Sequence, residues 1–260
     1  MAALMASTKS EGRVAATAVI VRDMPDGPPH ILMMERAGSM AFAAGALVFP
    51  GGAVDEADRE LARAVDASGN VEETAARLAA IRETLEESGL GIGFGVRPDP
   101  AQLFEMRRAL TGGAGLSAII EAHGIRLALD QLVPFSRWHP ADAEMAARIY
   151  DTHFYLVQAP EGQVASADTT ENVRLFWMSA SDTIALCDAG GGRIIFPTRR
   201  NLERLALFDS FAAMAAHAGC FPVEKISPWL EERGGVRHLC IPDYLGYPVT
   251  SEPMERVQRG

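Results

Sequence analysis

Three glutamates, Glu83, Glu86 and Glu87, stand at positions i, i+3 and i+4 of one short stretch of the chain. In a helix this spacing places all three side chains on one face, because each residue turns the helix by about 100°. Two carboxylates about 5 Å apart repel by roughly 3 kcal/mol at an effective dielectric near 20. Three of them therefore favour either a face screened by solvent or a bound cation, and hard oxygen ligands suit Mg²⁺ or Mn²⁺.

The helix that carries these glutamates is predicted over residues 71–88. Its apolar side chains recur at helical spacing and form one stripe: Val71, Ala75, Leu78, Ile81 and Leu85. Gly89 follows as a C-terminal stop. The three glutamates centre on a direction about 160° away from the stripe, so one face of the helix packs and the opposite face can bind.

Short apolar segments rich in β-branched residues surround this helix and predict strands. The predicted strands are residues 14–22, 30–36, 46–49, 131–138, 153–158 and 173–178. The third of them runs into Pro50-Gly51-Gly52, a break where the backbone can approach a ligand closely. Two or three short helices are predicted within residues 101–130, and one helix is predicted over residues 199–217. Because strands and helices interleave, the sequence predicts an α/β fold.

The glycine pair and the glutamates together resemble the Nudix box. That motif is a glycine, five residues, a glutamate, seven residues, and then Arg-Glu-aliphatic-x-Glu-Glu-x-Gly-aliphatic. Here Gly52 is followed by the segment RETLEESGL, which begins at Arg82. The resemblance implies a Nudix α/β/α sandwich with a mixed β-sheet, and a pyrophosphohydrolase that depends on divalent metal, Mg²⁺ or Mn²⁺.

Residue roles follow from the same resemblance. It implies that Glu83, Glu86 and Glu87 bind the metal with backbone help from Gly51, and that Arg82 orients them. Glu86 or Glu87 is then a candidate general base, as is Glu171, which stands in a polar loop before the strand at 173–178. The other reading of Glu171 is a surface acid. The predicted substrate-binding residues are Gly51, Gly52 and Arg36.

The chain departs from the box in three places. Asp58 stands where the first glutamate belongs, Thr84 replaces an aliphatic residue, and 23 residues separate Asp58 from Arg82 instead of seven. We therefore predict a helical insertion inside the box at about 59–76, peripheral to the fold because long surface insertions cost little closure entropy. The role of Asp58 stays open.

One domain is predicted for residues 1–260. Its core covers about 12–210, a second helical insertion lies at about 98–130, and an irregular C-terminal extension covers about 211–260.

The stretch from Phe42 to Gly52 is similar to the acyl-coenzyme A diphosphatase branch of the family, as are residues 150–155 and 176–179. This similarity implies coenzyme A or an acyl-coenzyme A as substrate. Ala41 stands where a sister group of coenzyme A hydrolases has an arginine. A hydrolase of ADP-ribose, NADH or nucleotide sugars is the alternative, and so is a Nudix module that binds a nucleotide without hydrolysing it. The pairs Arg107-Arg108 and Arg199-Arg200 could meet an adenosine phosphate or simply face solvent.

Composition limits the partners. A net charge of −10 repels nucleic acid, so the expected partner is a small diphosphate bridged by cations. Three widely spaced cysteines predict neither disulfides nor a zinc site and fit a reducing cytoplasm. We expect no membrane partner, because no apolar run approaches the length of a span. A homodimer stays open.

Overall fold

A mixed β-sheet is the centre of the computed structural model, which describes residues 12–36, 45–66, 68–140, 149–167 and 172–257. Its strands are β1 (Arg13–Arg22), β2 (His30–Arg36), β3 (Leu47–Val48), β4 (Gly51–Ala53), β5 (Val133–Trp138), β6 (Tyr150–Gln158), β7 (Asn172–Ser179) and β8 (Lys225–Ile226). The main path through the sheet is β3-β2-β1-β6-β5-β8, with β4 paired to β1 and β7 paired to β2. The β1–β6 and β5–β8 pairs are parallel, and the other pairs are antiparallel.

Four helices belong to the first face of the sheet: α1 (Glu56–Val65), α2 (Val71–Ser88), α3 (Pro100–Thr111) and α4 (Leu116–His123). The predicted helix at 71–88 is confirmed as α2. Asn70 caps its N-terminus by accepting a hydrogen bond from the Glu73 amide, and Gly89 ends it in the left-handed conformation at φ 73°. Leu78, Ile81 and Leu85 are fully buried against β1, so the apolar stripe determines which face of α2 packs on the sheet.

The second face of the sheet is covered by α5 (Ala180–Asp188), α6 (Phe196–Leu205) and α7 (Phe211–Ala218). Leu202, Leu205 and Met214 pack there with Val19 and Phe154 of the sheet. The predicted single helix at 199–217 is wrong, since α6 ends at Leu205 and α7 begins at Phe211. Ser210 caps α7 by accepting from the Ala213 amide, which stabilises a new helix start.

The C-terminal extension has regular structure, contrary to the prediction. Beyond β8 it forms a small antiparallel sheet of β9 (Trp229–Arg233), β10 (Val236–Cys240) and β11 (Ser251–Pro253), followed by α8 (Met254–Val257). The side chains of Ile241, Leu245 and Tyr247 are buried in the hydrophobic core on the second face of the sheet. Short strands between prolines and glycines give little periodic signal, which explains why sequence patterns missed them.

The segment inserted in the box is not peripheral. α1 and the first turns of α2 form it, and Ala62 of α1 and Ala75 and Ala76 of α2 are fully buried in the core. Since small residues at these positions let α1 and α2 approach closely, removal of residues 60–75 is expected to expose the core. The insertion at about 59–76, predicted to be peripheral, therefore supplies buried residues to the core.

Candidate active site

The glycine loop after β3 lies directly against the acidic face of α2. Gly51 donates its backbone N–H to Glu87 Oε2 at 2.8 Å. The following strand, β4, pairs with β1 so that Gly51 faces Thr17 and Gly52 faces Ala16. The central strand β1 and the helix α2 thus hold the loop from two sides.

Neither glycine can be replaced without moving its neighbours. A Cβ atom on Gly52 would overlap the Glu83 carboxylate, and one on Gly51 would overlap the Ala16 carbonyl oxygen and approach Thr17 Cα to 2.7 Å. The absence of side chains therefore allows the backbone and the carboxylates of α2 to touch. This close approach explains why the sequence has two glycines here.

Arg82 braces the site. Its Nε and Nη2 atoms donate to Asp58 Oδ1 and Oδ2 at 3.0 and 2.9 Å, and its Nη1 donates to Glu83 Oε1 at 2.8 Å. Nη2 also donates to the Ala53 carbonyl oxygen at 3.0 Å, which ties the arginine to β4. Burial alone would lower the Arg82 pKa, but the hydrogen bonds to Asp58 and the charge of Glu83 raise it above its ordinary value. Arg82 is therefore a permanent cation in the site.

Asp58 is the partner that makes this brace rigid. Its side chain is only 2% exposed, and Oδ2 also accepts the Asp55 N–H at 2.9 Å in the capping box of α1. Asp58 thus links the start of α1 to Arg82 on α2, across the long insertion. Sequence reasoning left its role open; the geometry shows that it holds Arg82 despite the 23 intervening residues.

The three predicted glutamates share one end of α2 and differ in exposure. Glu87 is 4% exposed, while the side chains of Glu83 and Glu86 are 18% and 35% exposed. Burial raises the pKa of Glu83, Arg82 opposes that shift, and the nearby negative charge of Glu86 adds to it. The protein therefore keeps a dense group of carboxylates partly out of water, an arrangement that favours a bound cation.

The donor set matches a hard divalent cation in chemistry. All three side chains offer carboxylate oxygens, the ligands that Mg²⁺ and Mn²⁺ prefer, and the adjoining loop offers backbone oxygen. Within the ranges that the structure describes, no three His, Cys, Asp or Glu side chains already converge closely enough to form a metal site.

The remaining predicted residues lie at the margin of the described structure. Arg36 ends β2, its backbone N–H donates to the Ala46 carbonyl at 3.1 Å, and its buried Nε has no hydrogen-bond partner among the described residues. The β2–β7 ladder shifts register between Glu35 and Arg36. Glu171 and residues 42–44 lie outside the described residues, as does Ala41.

The two arginine pairs, Arg107-Arg108 and Arg199-Arg200, lie in different environments. Arg200 is 1% exposed and binds Glu203 and Glu252 at 2.9 Å each, so it is a buried structural residue. Arg108 is exposed, whereas Arg107 reaches the end of α2. The periodicity of α3 could have separated these two: Leu103, Met106 and Leu110 are buried, and position 107 falls on their side of the helix.

Comparison with solved structures gives the fold an independent basis. A NUDIX hydrolase from Alicyclobacillus acidocaldarius is similar at a TM-score of 0.69 with 26% identity, covering 79% of this chain and 96% of that one. An Ap4A hydrolase of C. elegans matches at 0.40 with 15% identity over 78% and 98% of the chains. The NUDIX domain of Shewanella oneidensis NrtR, complexed with ADP ribose, matches at 0.39 with 13% identity over 68% and 78%. No family model matches the sequence, and no curated protein does.

The Alicyclobacillus protein is a NUDIX hydrolase, and the mixed α/β architecture described above matches its fold. The similarity to the Alicyclobacillus protein supports hydrolase activity on a pyrophosphate bond. Separately, the described part of the chain holds no helix with the length and apolar character needed to cross a bilayer.

Proposed function

We propose that this protein is a metal-dependent pyrophosphohydrolase that cleaves the diphosphate bond of a nucleoside-diphosphate-linked small molecule. The observation that carries the proposal is the contact between the glycine loop and the acidic end of α2, where Gly51 N–H meets Glu87 Oε2 at 2.8 Å. A diphosphate can approach a backbone that has no side chains in its way. The similarity to a NUDIX hydrolase supports the same chemistry.

Glu83, Glu86 and Glu87 would hold the divalent cation, Mg²⁺ or Mn²⁺, with the Gly51 backbone. When bound, such a cation offsets the negative charge of the diphosphate and lowers the pKa of the attacking water. This requirement follows from charge, since a protein with a net charge of −10 repels a phosphate ester unless cations intervene.

The chain's own residues supply position and proton transfer. Arg82 fixes the direction of the Glu83 carboxylate and is itself fixed by Asp58. Glu86 or Glu87 accepts the proton of the attacking water, and Glu171 is the further candidate for that role. Gly51, Gly52 and Arg36 receive the substrate, with the Arg36 guanidinium able to hold a phosphate oxygen.

The proposed substrate is coenzyme A or an acyl-coenzyme A. Its support is the similarity of residues 42–52, 150–155 and 176–179 to the acyl-coenzyme A diphosphatase branch. Cleavage would release 3′,5′-ADP and a 4′-phosphopantetheine product. Recognition of the 3′-phosphate by an arginine contributes about 1.5–3 kcal/mol, so dephospho-coenzyme A should have a kcat/KM lower by about tenfold to a hundredfold.

The test is turnover of a panel of diphosphates with Mg²⁺ or Mn²⁺, each product being identified by mass. Coenzyme A species should be hydrolysed fastest, and excess chelator should abolish turnover. A Glu86→Gln variant purified in parallel controls for contaminating hydrolases. Faster cleavage of ADP-ribose, NADH or a nucleotide sugar would replace the substrate assignment and leave the chemistry standing.

Binding of a nucleotide without hydrolysis of any panel member would instead show a silent binding module. Chelator-resistant turnover would refute the metal assignment.

A cytoplasmic location and a homodimer stay predictions, to be checked by cell fractionation and sedimentation.

A further inference from the structure

An arginine from α3 holds the end of α2 that carries Glu86 and Glu87. Arg107 donates from Nε to the Glu86 carbonyl oxygen and from Nη2 to the Glu87 carbonyl oxygen, both at 2.9 Å. Its remaining nitrogen, Nη1, donates to Ser166 Oγ at 2.8 Å. One side chain thus joins the last turn of α2 to the segment that follows β6.

The physical reason for this contact is the exposed negative end of the helix dipole. The last four carbonyl groups of a helix have no partner within it and carry partial negative charge. α2 has no basic residue in its own last turn. Arg107 supplies the missing cation from another helix, and its planar fork fixes two carbonyl groups in a defined direction.

The segment after β6 completes the same clamp. Ser166 donates its backbone N–H to the Ser88 carbonyl oxygen at 2.9 Å, and the Gly91 N–H donates to Gln163 Oε1 at 2.8 Å. A Cβ on Gly89 would lie 3.2 Å from Arg107 Nη1, so the turn that ends α2 is closely packed against the guanidinium. The end of α2 is therefore held by α3 and by residues 163–166 together.

We propose that Arg107 is a positioning residue for the hydrolysis assigned above, on which this inference rests. Arg107 touches no reacting atom in this role. It fixes the backbone at Glu86 and Glu87, and hence the place of both carboxylates beside the Gly51 N–H. A shift of about 1 Å at a catalytic group can lower a rate by about a hundredfold, so a backbone clamp at this point controls turnover.

Arg107→Met, Arg107→Lys and the matched control Arg108→Met test the proposal. Arg107→Met should lower kcat by about tenfold or more, leave KM within about twofold, and raise the Mn²⁺ concentration for half-maximal turnover. Arg107→Lys should recover part of kcat, because it keeps the charge but cannot bridge two carbonyl groups and Ser166 at once. Arg108→Met should match the wild type in every value.

Hydrogen exchange supplies a readout that does not depend on turnover. Amides of residues 86–91 should exchange at least about fivefold faster in Arg107→Met than in Arg108→Met, while those of β1 stay unchanged. If exchange is unchanged, or if folded Arg107→Met retains wild-type kcat and Mn²⁺ dependence, the proposal is overturned. A wild type that hydrolyses no diphosphate refutes the proposed function instead, and exchange then still decides whether Arg107 fixes this helix end.

Discussion

Two clusters of charged side chains lie on opposite faces of the sheet and differ in their balance of charge. On α2, Arg82 is shared by three carboxylates at 2.8–3.8 Å: Asp58, Glu83 and Glu86. A fourth carboxylate, Asp55, lies 3.7 Å from Arg82 and 3.1 Å from a second cation, Arg13. On α6, Arg199 and Arg200 together serve three carboxylates at 2.8–4.0 Å: Asp188, Glu203 and Glu252. Both clusters are helical and partly buried, so helix position and burial alone do not distinguish them.

The difference shows what separates a structural ion-pair cluster from a candidate metal site. In the α6 cluster the protein itself supplies cations to its carboxylates, and the result is a fixed junction with the C-terminal sheet through Glu252. In the α2 cluster one arginine cannot offset three acids, and an added cation is electrostatically favoured. The ratio of cations to acids therefore points to ligand binding at α2 and to stability at α6.

The largest expected effect separates the two clusters by activity. Glu86→Gln and Glu87→Gln should each lower kcat by about a hundredfold or more, since each removes a proposed metal ligand or the proposed general base. The free energy of unfolding should change by less than about 1 kcal/mol, because glutamine at position 87 can still accept the Gly51 N–H. Steady-state kinetics and urea unfolding measure both. Glu203→Gln in the α6 cluster is the control and should keep kcat within about twofold. An equal loss of kcat in variants of both clusters would contradict the assignment of catalysis to the α2 cluster.

The next effect concerns stability. Arg200→Met should lower the free energy of unfolding by about 2 kcal/mol, because Glu203 and Glu252 each lose a hydrogen bond of 2.9 Å while Arg199 remains beside them. Arg199→Met, at a side chain that is 20% exposed, should cost about 1 kcal/mol or less. Urea unfolding of both variants provides the measurement, with kcat expected to stay unchanged. A loss of turnover in Arg200→Met would give the α6 cluster a functional role.

The smallest effect concerns Asp151, a carboxylate that forms ion pairs with two cations. Asp151 lies 2.7 Å from Arg137 and 2.6 Å from Lys225. Burial raises its pKa, but the hydrogen bonds to Arg137 and Lys225 outweigh burial and lower the pKa to about 2. Because the folded pKa lies below the unfolded one, this stabilisation is present above about pH 4 and is lost as the pH falls towards 2.

Asp151→Asn should therefore lower the free energy of unfolding by about 1–2 kcal/mol at pH 7, and the difference from wild type should shrink as the pH falls below 4. Urea unfolding at several pH values measures it. A difference that does not change with pH would show that packing, rather than charge, accounts for the loss.

Much of the site could be predicted from sequence because its parts are local. The spacing of apolar and acidic residues gave α2 and its acidic face, and Gly89 marked its end. The pattern of residues 82–90 led to the Nudix fold, which the solved structures support. Each of these features depends on neighbours within a few turns, where periodicity carries the information.

The parts that sequence patterns missed depend on contacts between distant segments. Asp58 meets Arg82 only because α1 folds back on α2, and no local rule specifies that pairing. The pair at 199–200 gave no sign that Arg200 would be buried, since its acidic partner Glu252 lies in the C-terminal sheet. The segment inserted in the box was misjudged for a similar reason: a lone alanine carries a weak apolar signal, yet Ala62 of α1 packs fully in the core.

The parallel pairing of β1 with β6 also determines the order in which the protein can fold. The ladder runs without interruption from Arg13 opposite Tyr150 to Val21 opposite Gln158, and β6 follows β1 only after α1 to α4. During synthesis β1 therefore leaves the ribosome long before its parallel partner β6 has been made. Non-local parallel pairing of this kind is slow, because the entropy of closing a long loop is lost before any contact compensates for it. A ribosome-bound chain that stops before β6 should thus expose the apolar edge of β1 and depend on chaperones, whereas chains extended past Gln158 can close the centre of the sheet.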